Sequence, residues 1–230
     1  MPHELLDKKS VEGIRAIRDG QIAAESLPGE GGRWGLSVVF APKGPLRDQL
    51  ADVTTEAAKV TGEHHWRTGS EGAAHLTVRA LEPHTKGPLS TKNMDRYVDA
   101  IRRSARDIDS IPFGFQGLTV SSGTLMACAE DSVGAGQKLR HRLHIELGED
   151  GWLENSYFAN GRDPIWYVTL INFTGPLLDA RRFIEWFESN RDRSFAKEEF
   201  SHVDVCRWQF DGSRMTPKVV ATVSLDQANG

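Results

Sequence analysis

Apolar residues along this chain recur with two different spacings, and the switches between them mark out its elements. Trp34 to Phe40 is rich in β-formers and predicts a first strand, set off by the glycine-rich joint Pro28-Gly29-Glu30-Gly31-Gly32. Pro45 then opens a helical pattern in which Leu46, Leu50, Val53, Ala57 and Val60 share one face. A strand is centred on His75-Leu76-Thr77-Val78. A second amphipathic helix carries Met94, Tyr97, Val98, Ile101, Ala105 and Ile108. Two strands, Phe113 to Ser121 and Thr124 to Ala129, are joined at Ser122-Gly123.

The second half repeats this order. A helix is predicted over 136–147, with Leu139, Leu143 and Leu147 four apart and Gly148 as its stop. After an irregular stretch, 149–163, comes a strand from Ile165 to Phe173. A helix follows over 177–191 with Leu177, Ala180, Ile184 and Phe187 on one face. Val203 to Phe210 and Lys218 to Leu225 predict two closing strands. Upstream, Ser10 is expected to cap a short helix bearing Ile14 and Ile17 that Gly20 ends. Residues 1–30 therefore read as a helical appendage and linker, and 31–230 as one two-lobed domain. The predicted fold class is α+β: bilobal, with a pseudo-two-fold and two antiparallel sheets flanked by helices around a central cleft.

Composition narrows the function. Apolar residues make up 39% of the chain and charged residues 26%, enough for a substantial core, and no run approaches the ~20 apolar residues of a membrane span. The N-terminal ten residues lack the apolar core of a secretory signal, so a cytoplasmic setting is expected. Two cysteines, Cys128 and Cys206, are too few for a disulfide framework or a four-cysteine zinc knuckle, and neither metal nor cofactor is expected. A net charge of −4 argues against long nucleic acid and favours a small ligand. The oligomeric state is left open.

Chemistry concentrates on one strand. In His75-Leu76-Thr77-Val78 the alternation puts an imidazole and a hydroxyl on one face and two apolar side chains on the other. Histidine moves protons and threonine donates to an oxyanion, so the pair suits a phosphate, although a lone H-x-T equally describes a strand histidine bonded at a sheet surface. Tyr167-Val168-Thr169-Leu170 alternates in the same way 92 residues later. The two motifs, with Trp66 ahead of the first and the Pro112-Phe113 strand between them, make residues 34–225 resemble the two-histidine phosphoesterase superfamily. That group comprises LigT-like cyclic phosphodiesterases and the so-called 2′-5′ RNA ligases. The resemblance implies a cleft between two lobes, with His75 moving a proton and Thr77 and Thr169 on the phosphate.

Tyr167 stands where that family carries its second histidine. A phenol, with an ordinary pKa near ~10, is a poor base at neutral pH, and loss of one acid or base costs about 10²–10⁴-fold. The expectation is therefore a phosphodiesterase-like hydrolase of a small cyclic phosphate or nucleotide. The alternative is a nucleotide or phosphate binder, or a biosynthetic enzyme with a diverged site. His202-Val203-Asp204 imitates the motif, but its spacing is too long and its aspartate would repel phosphate, so it reads as structural or as one wall of the cleft. His64, His65, Arg67 and Arg79 read as surface residues near the first motif, with either histidine a candidate to complete the site. His141 and His144 read as a solvated helix face, the paired arginines at 102–103 and 181–182 as facing water, and Trp166 and Trp208 as core.

Overall fold

A computed structural model describes residues 2–88, 91–148, 165–212 and 214–225. Among the described residues, five helices and eight strands follow in the order α1 (Pro2–Arg18), β1 (Leu36–Phe40), α2 (Gly44–Thr61), β2 (Leu76–Glu82), α3 (Thr91–Ser104), β3 (Ile111–Val120), β4 (Thr124–Glu130), α4 (Ala135–Leu147), β5 (Trp166–Asn172), α5 (Ala180–Asn190), β6 (Glu198–Phe200), β7 (His202–Phe210) and β8 (Met215–Ser224). The irregular stretch 149–163 lies outside the described residues.

The strands form two four-stranded sheets, ordered β2-β1-β7-β8 and β5-β4-β3-β6, with every pairing antiparallel. The two are pseudo-symmetric. The run β1-α2-β2-α3 in one corresponds to β4-α4-β5-α5 in the other, so β2 and β5 occupy equivalent edge places. These edges lie side by side, and each is backed by the other lobe's helix: α2 packs on β5, and α4 on β2.

One hydrophobic core runs through both lobes. It includes Val38, Phe40, Leu76 and Val78 from the first sheet and Leu125, Ala127, Val168 and Leu170 from the second. Phe40 lies 5.7 Å from Phe113 and 6.1 Å from Trp166, ring centroid to centroid, so aromatic contacts cross the seam. Burying a side chain of this size contributes about 1.5–3 kcal/mol. The apolar stripe predicted for α2 is buried throughout.

Several boundaries differ from expectation for local reasons. The first strand starts at Leu36, because Trp34 takes a left-handed φ of 69° that a strand excludes. The helix predicted from 177 starts at Ala180, where the Asp179 side chain caps it by accepting from the Arg182 N–H at 2.9 Å. Ala105 and Ile108 lie beyond the end of α3 and are still buried. Strand β6 has only three residues, two of them glutamates, and carries no readable alternation.

Ser10 is not a cap. It lies within α1, 3% exposed, with its Oγ 2.7 Å from Thr119 Oγ1 on β3. Helix α1 docks closely there: a Cβ on Gly13 would come within 2.4 Å of the Val120 carbonyl oxygen. An ion pair between Asp7 and Arg191, at 2.6 Å, ties its first half to the segment after α5.

Candidate functional site

The loop between α2 and β2 brings the two motif strands together. Trp66 pairs with Asn172 of β5 through both backbone hydrogen bonds, at 3.1 and 2.9 Å. Two residues on, the Thr68 hydroxyl donates to the Thr169 carbonyl at 3.1 Å and accepts from the Asn172 amide at 3.0 Å. Gly69 then donates to the Leu170 carbonyl at 2.8 Å. Only glycine fits at that position, since a Cβ would lie 2.3 Å from Thr54 Oγ1 and 2.7 Å from a Leu170 methyl. The first motif thus arrives on a segment already bonded to the second.

His75 sits immediately before β2, half-buried. Its Nδ1–H donates to the Ala73 carbonyl at 2.9 Å, and its ring lies 4.3 Å from that of Trp208. A carbonyl can only accept, so Nδ1 carries the proton and proton exchange at this ring falls to Nε2. Thr77 is half-buried on β2 opposite Val39 of β1, which in turn pairs with Asp204 of β7. A cavity of about 160 Å³ beside His75 is lined by Arg47, Asp204, Cys206 and Trp208 among others. Trp34, Trp66, Trp208 and Phe210 continue the aromatic wall, and contacts from Trp34 to Trp66 (6.1 Å) and Trp208 (5.5 Å) hold its unusual backbone.

On β5, Tyr167 and Thr169 are half-buried and project from the face opposite to the buried Val168 and Leu170. Tyr167 pairs across the ladder with Cys128 and packs with it against Leu6 of α1 and Ile165. Neither thiol is poised to react. Burial, with the charge of Asp7 behind it, pushes Cys128 up to about 12, and burial followed by Asp204 does the same for Cys206.

The other expected residues separate. His202, at the start of β7, accepts at Nε2 from Lys43 Nζ at 2.9 Å. Asp204, 8% exposed, lines the His75 cavity and accepts from the Thr222 hydroxyl at 2.6 Å. Arg67 is a surface residue, paired with Glu63 at 3.1 Å. His65 is not at the surface: it is 1% exposed, accepts at Nδ1 from the Thr174 N–H at 3.1 Å and edges Phe173. Burial, then the neighbouring His64, lowers its pKa to about 4, against an opposing backbone hydrogen bond at Thr61. Arg79 is also buried, and donates to His144 Nδ1 at 3.0 Å, so His144 lies half-covered rather than solvated. Trp166 and Trp208 are core residues as expected. Among the described residues no group of three His, Cys, Asp or Glu side chains is placed to hold a metal ion, and no helix is long and apolar enough to cross a membrane.

Sequence reasoning missed Arg140. It is 5% exposed on α4, donates to the carbonyls of Thr77 (2.9 Å) and Ile165 (3.4 Å), and lies 3.3 Å over the Trp166 ring. A signal was present: with Gly136, Leu139, Leu143 and Leu147 it completes the buried stripe of its helix.

The same architecture occurs in solved structures. TT0787 of Thermus thermophilus superposes with a TM-score of 0.61 at 14% identity, over 85% of this chain and 100% of that one. A crystal structure described as a phosphoesterase gives 0.56 at 12% identity, over 84% and 99%. E. coli LigT complexed with phosphate gives 0.57 at 10% identity, over 84% and 98%. The fold is the LigT-like two-histidine phosphoesterase fold. No family model matches the sequence, and no curated protein matches it.

Proposed function

We propose that this chain is a phosphoesterase-type protein whose groove takes a small cyclic phosphate or nucleotide, with His75 as its proton-transfer residue. The observation that carries the reading is the state of that imidazole. Its Nδ1–H is committed to the Ala73 carbonyl and its ring is held against Trp208, which sets Nε2 as the atom that accepts a proton. Thr77 and Thr169, half-exposed on the two edge strands, supply hydroxyl donors to the phosphoryl oxygens. Tyr167 donates a hydrogen bond or proton to the leaving oxygen where the family uses its second histidine. Neighbours of the same fold have been solved with phosphate, 3′-AMP and ATP, which fits a ligand of this size. A cytoplasmic setting, where such nucleotides occur, belongs to the same reading.

A second reading has its own support. Tyr167 packs with Cys128, Ile165 and Leu6 of the N-terminal helix, an apolar setting better suited to holding a phenol than to moving its proton. On that reading the groove binds a phosphorylated ligand without turning it over.

Turnover of 2′,3′-cyclic mononucleotides and ADP-ribose 1″,2″-cyclic phosphate, without added metal, separates the two. Hydrolysis that disappears in His75→Ala is the expected result. Phosphate-dependent binding without turnover in the folded wild type would instead select the binding protein.

A further inference from the structure

Helix α1 stands outside the pseudo-symmetric repeat, and it packs on the face of the second sheet that carries Tyr167 and Thr169. Cross-strand partners share a face, so Thr119 of β3, Met126 of β4 and Thr169 of β5 form one row, and Cys128 with Tyr167 forms another. Helix α1 is seated on both. The Thr119 hydroxyl lies 2.7 Å from Ser10 Oγ and donates to the Leu6 carbonyl at 3.0 Å. The Leu6 side chain, 7% exposed, packs with Cys128, Ile165 and Tyr167. A helix is about 10–12 Å across and two strand spacings span about 10 Å, so a helix seated on β3 reaches β5.

A cavity of about 650 Å³ lies beyond that contact. Leu6, Cys128 and Ile165 line it together with Phe115 and Lys197, whereas Tyr167 and Thr169 are not among its lining residues. The same three side chains therefore meet Tyr167 on one side and the cavity on the other. Cys128 and Ile165 belong to the sheet and its approach, and Leu6 is the part of this partition that α1 adds. On the His75 side the space differs: the cavity there, about 160 Å³, is close to one that holds a single benzene ring.

We infer that Leu6 is a specificity-determining residue, the wall that limits the groove to a phosphate bearing one nucleoside and excludes a diester joining two. The inference rests on the phosphate reading above and adds which ligands that site admits. A diester between two nucleosides needs room on both sides of the phosphorus. Here one side opens on the His75 cavity and the other ends at Leu6.

Isothermal titration calorimetry on the full chain tests this, with 3′-AMP and the dinucleotide ApA as probes. Wild type is expected to bind 3′-AMP at least about tenfold more tightly than ApA. Leu6→Ala joins the groove to the larger cavity and is expected to tighten ApA about tenfold. Gly13→Ala, which forces α1 away from β3, is expected to shift ApA in the same direction and serves if the first variant does not fold. Equal affinity for the two probes in wild type, or an ApA affinity unchanged in a folded variant that still binds 3′-AMP, would overturn the role of Leu6 and leave the phosphate reading standing. Absence of 3′-AMP binding in wild type and variants alike would remove the phosphate reading, and this inference with it.

Discussion

Arg140 of α4 donates through Nη2 to the backbone carbonyl of Thr77 at 2.9 Å, across 63 residues of sequence. The same guanidinium reaches the Ile165 carbonyl and lies over Trp166, so one buried cation ties the H-x-T strand to the start of the Y-x-T strand. Methionine would fill the space but leave both carbonyls without their charged donor. Arg140→Met is expected to cost about 2–3 kcal/mol in urea unfolding. A loss below about 0.5 kcal/mol would show that the clamp does not hold the strands.

The proton-transfer assignment makes opposite demands on two residues. His75→Ala is expected to lower turnover of a cyclic nucleotide by about 10²–10⁴-fold. Tyr167→His, which restores a group titrating near neutrality, is expected to raise it. Steady-state kinetics on folded variants decides, and an unchanged rate in His75→Ala removes the residue from the mechanism.

Acid should destabilise the fold through His65. Its folded pKa, about 4, lies below the ordinary value of 6.5, so the unfolded chain binds more protons between those limits. Stability from this group is fully present above 6.5 and is lost as pH falls toward 4, by up to about 1.4 kcal/mol per pH unit. Denaturant midpoints measured across that range should fall more steeply for wild type than for His65→Asn. Parallel curves would mean that another group controls the acid limb.

Helix α1 tests the docking of the N-terminal segment. Gly13→Ala would drive a methyl group against the Val120 carbonyl and the Ser121 Cα, within 2.4 and 2.8 Å, and is expected to cost about 1–3 kcal/mol. Amide hydrogen exchange should quicken along α1 and around Thr119, whose hydroxyl donates to the Leu6 carbonyl. Exchange confined to α1 alone would mean that the helix detaches without disturbing the sheet.

Much of the frame is readable from residue spacing. Leu46, Leu50, Val53, Ala57 and Val60 announce α2, and Pro45 and Gly148 mark helix ends, because periodicity and backbone chemistry are local. Strand β6 is not readable: Glu198 and Glu199 carry no alternation, and the strand exists by pairing with Ile111 to Phe113. Residue type alone puts His65 and Arg79 on the surface, where histidine and arginine are usually found. Both are buried, and their partners, Thr174 and His144, lie 109 and 65 residues away.

Sequence by itself determined the order of the elements other than β6, their amphipathic faces and the spacing of Thr77 and Thr169 two residues after His75 and Tyr167. Those properties follow from side-chain period and turn residues within a few positions of each other. Tertiary structure alone decided that Thr68 bonds to the Thr169 carbonyl, that Arg140 bridges the motif strands, and that Leu6 lies against Tyr167. A buried polar group is stable only where a distant partner satisfies it, and that partner is chosen by the packing of the whole chain.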